Sequence, residues 1–250
     1  MKSKINYTIL ALAILISSCS ESGSNIGPNT FDVGGVSQGG STAKFATSGT
    51  NLYVIDQFRL HTYDISIEKE IKFLNTITLN TQQLETIFPF GNYLFLGSTS
   101  GVHIIDITNP SSPFYLSEFQ HVLSCDPVVT DGDFAYVTLR SGNFCGQSDD
   151  ELQILDVSDI TNPQLVVTYA LSSPKGLAIN NDILYICDDG IRILDVSNKS
   201  NVREIKHIPN IPANDVIFYN NRILVTADNG FYQFDVSDIN NVTQIGEFTF

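Results

Sequence analysis

Five ionisable side chains stand at matching places along this chain. Lys44, Glu85, Asp126, Lys175 and Asp215 each lie eight residues before an apolar run, at Leu52, Tyr93, Phe134, Ile183 and Ile223. Only 16% of the residues are charged, so five in register is a pattern. Ammonium and carboxylate groups gathered into a ring neutralise one another as ion pairs, each worth about 0–1 kcal/mol when exposed. The same ring could instead hold a cation or a polar ligand, and calcium is the ion an oxygen-rich set would suit. Two of its carboxylates, from Glu85, Asp126 or Asp215, could also act as acid and base in a hydrolase or lyase.

Other chemistry is thinly represented. There is no Gly-rich phosphate loop, no Gly-x-Ser-x-Gly and no His-Glu-x-x-His. No two of His61, His103, His121 and His207 have metal-ligand spacing. The sequence therefore predicts no catalytic residue, no metal site and no cofactor. With a net charge of −14, the chain repels phosphate, which argues against nucleic acid as a partner.

Residues can form a ring only if the chain repeats. Ile191–Ser197 reads Ile-Arg-Ile-Leu-Asp-Val-Ser; the pattern returns at Val102–Thr108, Leu152–Ser158 and Phe231–Ser237, and in a worn form at Leu60–Ser66. Its aspartates, Asp64, Asp106, Asp156, Asp195 and Asp235, are 42, 50, 39 and 40 residues apart. A short carboxylate there can accept the amide two residues on and fix a turn. Around each copy are three further apolar runs, separated by turn residues such as Asp188-Asp189-Gly190.

The third run of each unit is apolar almost throughout, which suits a strand covered on both faces. Four-stranded antiparallel units of about 40 residues, each covering its neighbours, predict an all-β, five-bladed β-propeller. The expected blades are 42–80, 81–120, 121–171, 172–210 and 211–250. The first strand of a blade lies innermost, so the five ionisable residues should meet at one mouth of the central channel. A linear β-solenoid is the competing architecture; it would need capping units, and neither end looks like one.

Asp106-Ile-Thr-Asn-Pro110 and Asp156-Val-Ser-Asp-Ile-Thr-Asn-Pro163 resemble the LVIVD-repeat family of bacterial β-propellers. The resemblance extends over residues 42–250, although units one, four and five lack the Asn-Pro pair. It implies the propeller fold and an extracytoplasmic setting, and little about activity. Trp is absent, unlike in WD-type and quinone-cofactor propellers.

The N-terminus is an address. Lys2 and Lys4 precede a short apolar run over 8–16, too short to span a bilayer as a helix. Ile16-Ser17-Ser18-Cys19 resembles the lipobox of bacterial lipoproteins. That resemblance implies a signal peptide over 1–18, acylation of Cys19 and a place in the cell envelope, at the outer membrane. Residues 19–41 are rich in Ser, Gly and Asn and read as a tether. Within it, 31–36 could add a strand to the last unit.

The third unit is the longest, with extra residues Ser141–Asp150 that include Cys145. In a propeller this hairpin and the connection carrying Cys125 share one face. An exported chain can oxidise them, and a Cys125–Cys145 disulfide would stabilise the fold by about 3 kcal/mol in the chain-entropy model. Cys187, at the end of a buried strand, reads as an inert thiol. Asp149, Asp150, Asp188, Asp189 and Asp228 should make the same face acidic. These features together point to a non-catalytic, lipid-anchored propeller that binds an envelope or extracellular protein or glycan through its loops. A hydrolase or lyase and a calcium-stabilised structural module are the alternatives.

Overall fold

A computed structural model describes residues 40–81, 83–121, 127–141 and 149–250. These form five antiparallel sheets of four strands, each sheet ordered as the chain runs. Blade one holds β1 (Phe45–Ser48), β2 (Asn51–Ile55), β3 (Arg59–Asp64) and β4 (Lys72–Thr78). Blade two holds β5 (Leu84–Phe90), β6 (Tyr93–Ser98), β7 (Gly101–Asp106) and β8 (Phe114–Gln120). Blade three holds β9 (Val128–Thr130), β10 (Phe134–Leu139), β11 (Glu151–Asp156) and β12 (Gln164–Ala170). Blade four holds β13 (Pro174–Asn180), β14 (Ile183–Asp188), β15 (Ile191–Asp195) and β16 (Arg203–Ile208). Blade five holds β17 (Ala213–Tyr219), β18 (Arg222–Ala227), β19 (Gly230–Asp235) and β20 (Thr243–Thr249). The architecture is the expected five-bladed β-propeller. Cys19, Cys125, Asp126, Cys145 and the strand expected near 31–36 lie outside the described residues.

Local chemistry repeats from blade to blade. Each third strand ends on an aspartate whose Oδ1 accepts the amide two residues on. Asp64 takes Ser66 at 2.8 Å, Asp106 Thr108 at 2.7 Å, and Asp156, Asp195 and Asp235 take Ser158, Ser197 and Ser237 at 2.9 Å. The carboxylates of Asp64, Asp156, Asp195 and Asp235 fall below the usual range because a serine hydroxyl and this amide hydrogen-bond the charged form. Between the third and fourth strands every blade shifts register at the same place, at Thr62/Tyr63, Ile104/Ile105, Ile154/Leu155, Ile193/Leu194 and Gln233/Phe234. A bulge there adds twist, which the outer strands of a propeller need. Gly190, at φ +115°, has no room for a Cβ, which would strike the Ile208 carbonyl on the neighbouring strand.

The blades are held together face to face. Four apolar cores occupy the seams between blades one and two, two and three, three and four, and four and five. In the last of these, Tyr185, Cys187, Ile191 and Ile193 of blade four meet Val216, Ile223, Val225 and Phe234 of blade five. Among the described residues no such core joins blade five to blade one. The first-blade residue that matches buried Leu177 is Phe45, 63% exposed. The fifth-blade residue that matches buried Ile191 is Phe231, 51% exposed. This seam is open.

Polar pins reinforce the closed seams. The residue three before each turn aspartate is polar: His61, His103, Gln153, Arg192 and Tyr232. In blade two, His103 Nε2 lies 2.7 Å from Thr81 Oγ1, on the connection from blade one, and 2.9 Å from Ser98 Oγ. In blade four, Arg192 Nε donates to Asp188 at 2.6 Å, while Asp188 also accepts the Ser172 and Ser173 amides of the connection from blade three. In blade one, His61 meets Thr76 and Asp56, both of its own blade.

Candidate functional site

The central axis is where the sequence expected a charged ring. Residues 40–44 cross it. Ser41 donates its hydroxyl to Asp215 Oδ1 at 3.0 Å in blade five and accepts the Leu177 amide of blade four at 2.8 Å. Thr42 donates its hydroxyl to Asp215 Oδ2 at 2.7 Å. One residue on, the Ala43 carbonyl accepts the Ile87 amide of blade two at 2.9 Å. Ser41 is 1% exposed, so the lead-in to blade one packs against the inner strands as a plug. Gly40 and Gly176 both lie so close to Asp215 that a Cβ on either would strike its carboxylate.

The ring residues are therefore put to different uses. Lys175 donates to Asn214 Oδ1 at 2.6 Å, and Asn214 in turn donates to Asp228. Lys175 and Asp215 thus take neutral partners rather than each other. Burial pushes the Asp215 carboxyl above its usual range, against the hydrogen bonds that favour its charged form. Lys44 is exposed just before β1, and Glu85 is half-buried on β5. Cys187 is fully buried beside this cluster; desolvation, then the Asp215 charge, raises its thiol far above the usual value, so it is inert near neutrality.

The loop face differs from the acidic surface the sequence suggested. Asp188 is fully buried, taken inside by two amides and Arg192. Asp150 accepts the Ser141 amide at 2.7 Å and its hydroxyl at 3.0 Å, closing the base of the insertion. Turn amides and hydroxyls offer these carboxylates partners inside the fold, so they are staples first. Asp149, Asp189 and Asp228 remain exposed, so three of the five expected acids do stand on this face. Among the described residues no three His, Cys, Asp or Glu side chains converge as a metal site.

Two features of the surface were not singled out in the sequence. On the β2–β3 hairpin, Phe58 is 46% exposed beside the Asp56–Arg59 ion pair, and with Gln57 and Thr78 these residues form a hollow of about 360 Å³. The two Asp56 bonds to the Phe58 and Arg59 amides, at 3.0 and 2.9 Å, hold the hairpin tip. The second is a groove of about 660 Å³ along the outward face of blade five, walled by Ile217, Leu224, Phe231 and Phe248 and floored at its inner end by Gly40 and Asp215. The groove was invisible in the sequence because its walls are ordinary strand residues. Only an uncovered sheet turns them into a surface.

A third cluster has the order of a nucleophile, a base and an orienting acid: Ser98 Oγ, His103, and Glu118 at 3.3 Å from His103 Nδ1. Ser98 is fully buried and donates to the Gly101 carbonyl at 2.9 Å. Burial, the largest influence, lowers the His103 pKa. The group is a seam pin without access for a substrate.

The model of the LVIVD repeat matches residues 87–120, 124–170 and 173–208. This β-propeller carries LVIVD repeats. The three matched copies are blades two, three and four, the ones covered on both faces. No curated protein matches the LVIVD-repeat chain. Among solved structures it is similar to the periplasmic gluconolactonase PpgL of Pseudomonas aeruginosa, with 14% identity and a TM-score of 0.63, covering 82% of this chain and 73% of that one. A protein from Lactobacillus plantarum matches at 12% identity and a TM-score of 0.63, covering 80% and 68%. AztD of Citrobacter koseri matches at 12% and 0.59, covering 81% and 61%. These likenesses are of fold. In each, the five blades here span part of a longer propeller-like chain.

Proposed function

We propose that this LVIVD-repeat chain is a non-catalytic binding module of the bacterial cell envelope. Acylated Cys19 anchors it at the outer membrane, the stretch from Cys19 up to the plug at 40–44 serves as its tether, and a Cys125–Cys145 disulfide closes its longest loop. Its partner is an envelope or extracellular protein or glycan, bound through the loop face. The observation that carries this reading is the plugged axis. Residues 40–44 occupy the place where a propeller enzyme would receive substrate, and Asp215 spends its carboxylate on Ser41 and Thr42. The Phe58 hollow supports the loop face as the binding surface: an exposed ring beside a fixed carboxylate–guanidinium pair suits a sugar ring, which offers an apolar face and hydroxyls together. On a glycan array, the Phe58→Ala/Arg59→Ala variant should lose signal by tenfold or more. Equal signal from variant and parent would remove this hollow from the site.

A second reading keeps a hydrolase. Its support is the raised Asp215 carboxyl, a feature of general acids, and the lactonase among the fold neighbours. Lactone hydrolysis that survives in Phe58→Ala and vanishes in Asp215→Asn would replace the binding module with that enzyme.

A further inference from the structure

The open seam exposes two sheet faces that match the buried ones in kind. Toward a preceding blade, blade four presents Leu177, Leu184, Ile186, Leu194 and Val196, all at 1% exposure or less. Blade one presents Phe45, Leu52, Val54, Tyr63 and Ile65 at the corresponding positions, equally apolar and none of them buried. Its turn continues the pattern. Seven residues after the turn aspartate stands Ile71, 68% exposed, where blade five has Val242, 8% exposed within the fourth–fifth core. At the other end Phe231 and Phe248 stand where blade four buries Ile191 and half-buries Ile208 against its neighbour.

Blade one's outer face is therefore shaped for the following face of another such blade, a contact this chain makes four times within itself. Among the described residues, the following face left uncovered belongs to blade five. Blade five of the same molecule does not supply it: no core joins the two among the described residues, and the five-blade arc superposes on only part of longer propeller-like chains. We propose that two copies of this chain associate head to tail, the fifth blade of one packing against the first blade of the other. The contact is heterologous, so it closes or continues according to the rotation between copies. Burying apolar surface drives it, and the charge of −14 on each copy opposes it. Added salt should therefore strengthen it, the reverse of an ion-paired interface.

The test uses the full chain with two tags. One copy carries Phe231→Cys and the other Leu52→Cys, treated with a short thiol crosslinker; the matching inner pair, Ile191 and Ile223, meet in the fourth–fifth core. A mixed-tag dimer is expected, its yield rising with salt and falling tenfold or more when Tyr63→Asp is added to the Leu52→Cys copy. Tyr63 is only half-buried, so that variant should still fold, which circular dichroism checks. Absence of the mixed-tag product overturns the proposal. A Phe231→Cys/Leu52→Cys double variant that crosslinks within one chain also overturns it, because the ring would then close on itself.

Discussion

The seam between blades four and five and the gap between blades five and one are built from the same residue types, yet one is a core and the other a surface. In blade four Ile193 and Leu194 are fully buried on opposite faces of one strand, Ile193 toward blade five and Leu194 toward blade three. At the open end the corresponding pair in blade five is Gln233 and Phe234, and only Phe234, facing blade four, is buried. At three of the closed seams a side chain also reaches from the outer strand into the next blade's turn, while blade three has Val167 at that position. Asn75 donates to the Ser111 carbonyl at 3.0 Å, Ser117 to Ile160 at 2.5 Å and Lys206 to Val242 at 3.2 Å. The fifth blade has Gly246 at that position, with no side chain to extend. A sheet face gains stability from its neighbour, so the same apolar pattern stabilises four seams and leaves the fifth in solvent.

That contrast can be broken from its strongest point. Arg192→Met should cost about 3–5 kcal/mol in a urea melt, because it strands the buried Asp188 carboxylate at the third–fourth seam. Leu194→Ala should cost about 2–5 kcal/mol by opening a cavity in the same seam. Leu52→Ala, chemically the same truncation at the open face, should cost less than about 1 kcal/mol in dilute solution, where the copies are apart. Equal losses for Leu194→Ala and Leu52→Ala would mean that the open seam is covered in the single chain.

Acidity sharpens the comparison with smaller effects. His103 pins a closed seam and is buried, so its folded pKa lies below the unfolded value of about 6.5. Stability from the neutral ring is then complete above that value and is lost as pH falls toward the folded pKa. Thermal melts should drop between pH 7.5 and 5.5, and His103→Gln should flatten that slope. Asp215 has the opposite sign. Its folded pKa is raised, so its favourable contribution is complete below the unfolded value near 4 and is lost as pH rises through the folded one. Asp215→Asn should remove this weak decline while keeping an acceptor for Ser41.

Much of the fold was legible because it rests on local chemistry written five times. The turn aspartates, the hairpin glycines and the apolar third strands each make their interaction within a few residues, so spacing alone located them. The site was less legible. Asp215 and Lys175 were marked by register, but their partners, Ser41, Thr42 and Asn214, depend on where the chain crosses the axis. Asp188 looked like an exposed turn acid because nothing nearby in sequence announced that Ser172 and Ser173 would aim two amides at it. His103 pins a seam only because its hydroxyl partner Thr81 belongs to the preceding connection, 22 residues away in sequence.

The sequence by itself determined what each blade is: four strands and a carboxylate-fixed turn, since those depend on dihedral preference, alternation and short-range hydrogen bonds. Only the tertiary structure decided which faces stay dry. Covering a sheet is a relation between two sheets, set by the rotation from one blade to the next. That rotation accumulates over the whole chain and is encoded in no single repeat, so Leu194 and Leu52 carry the same side chain and meet different fates.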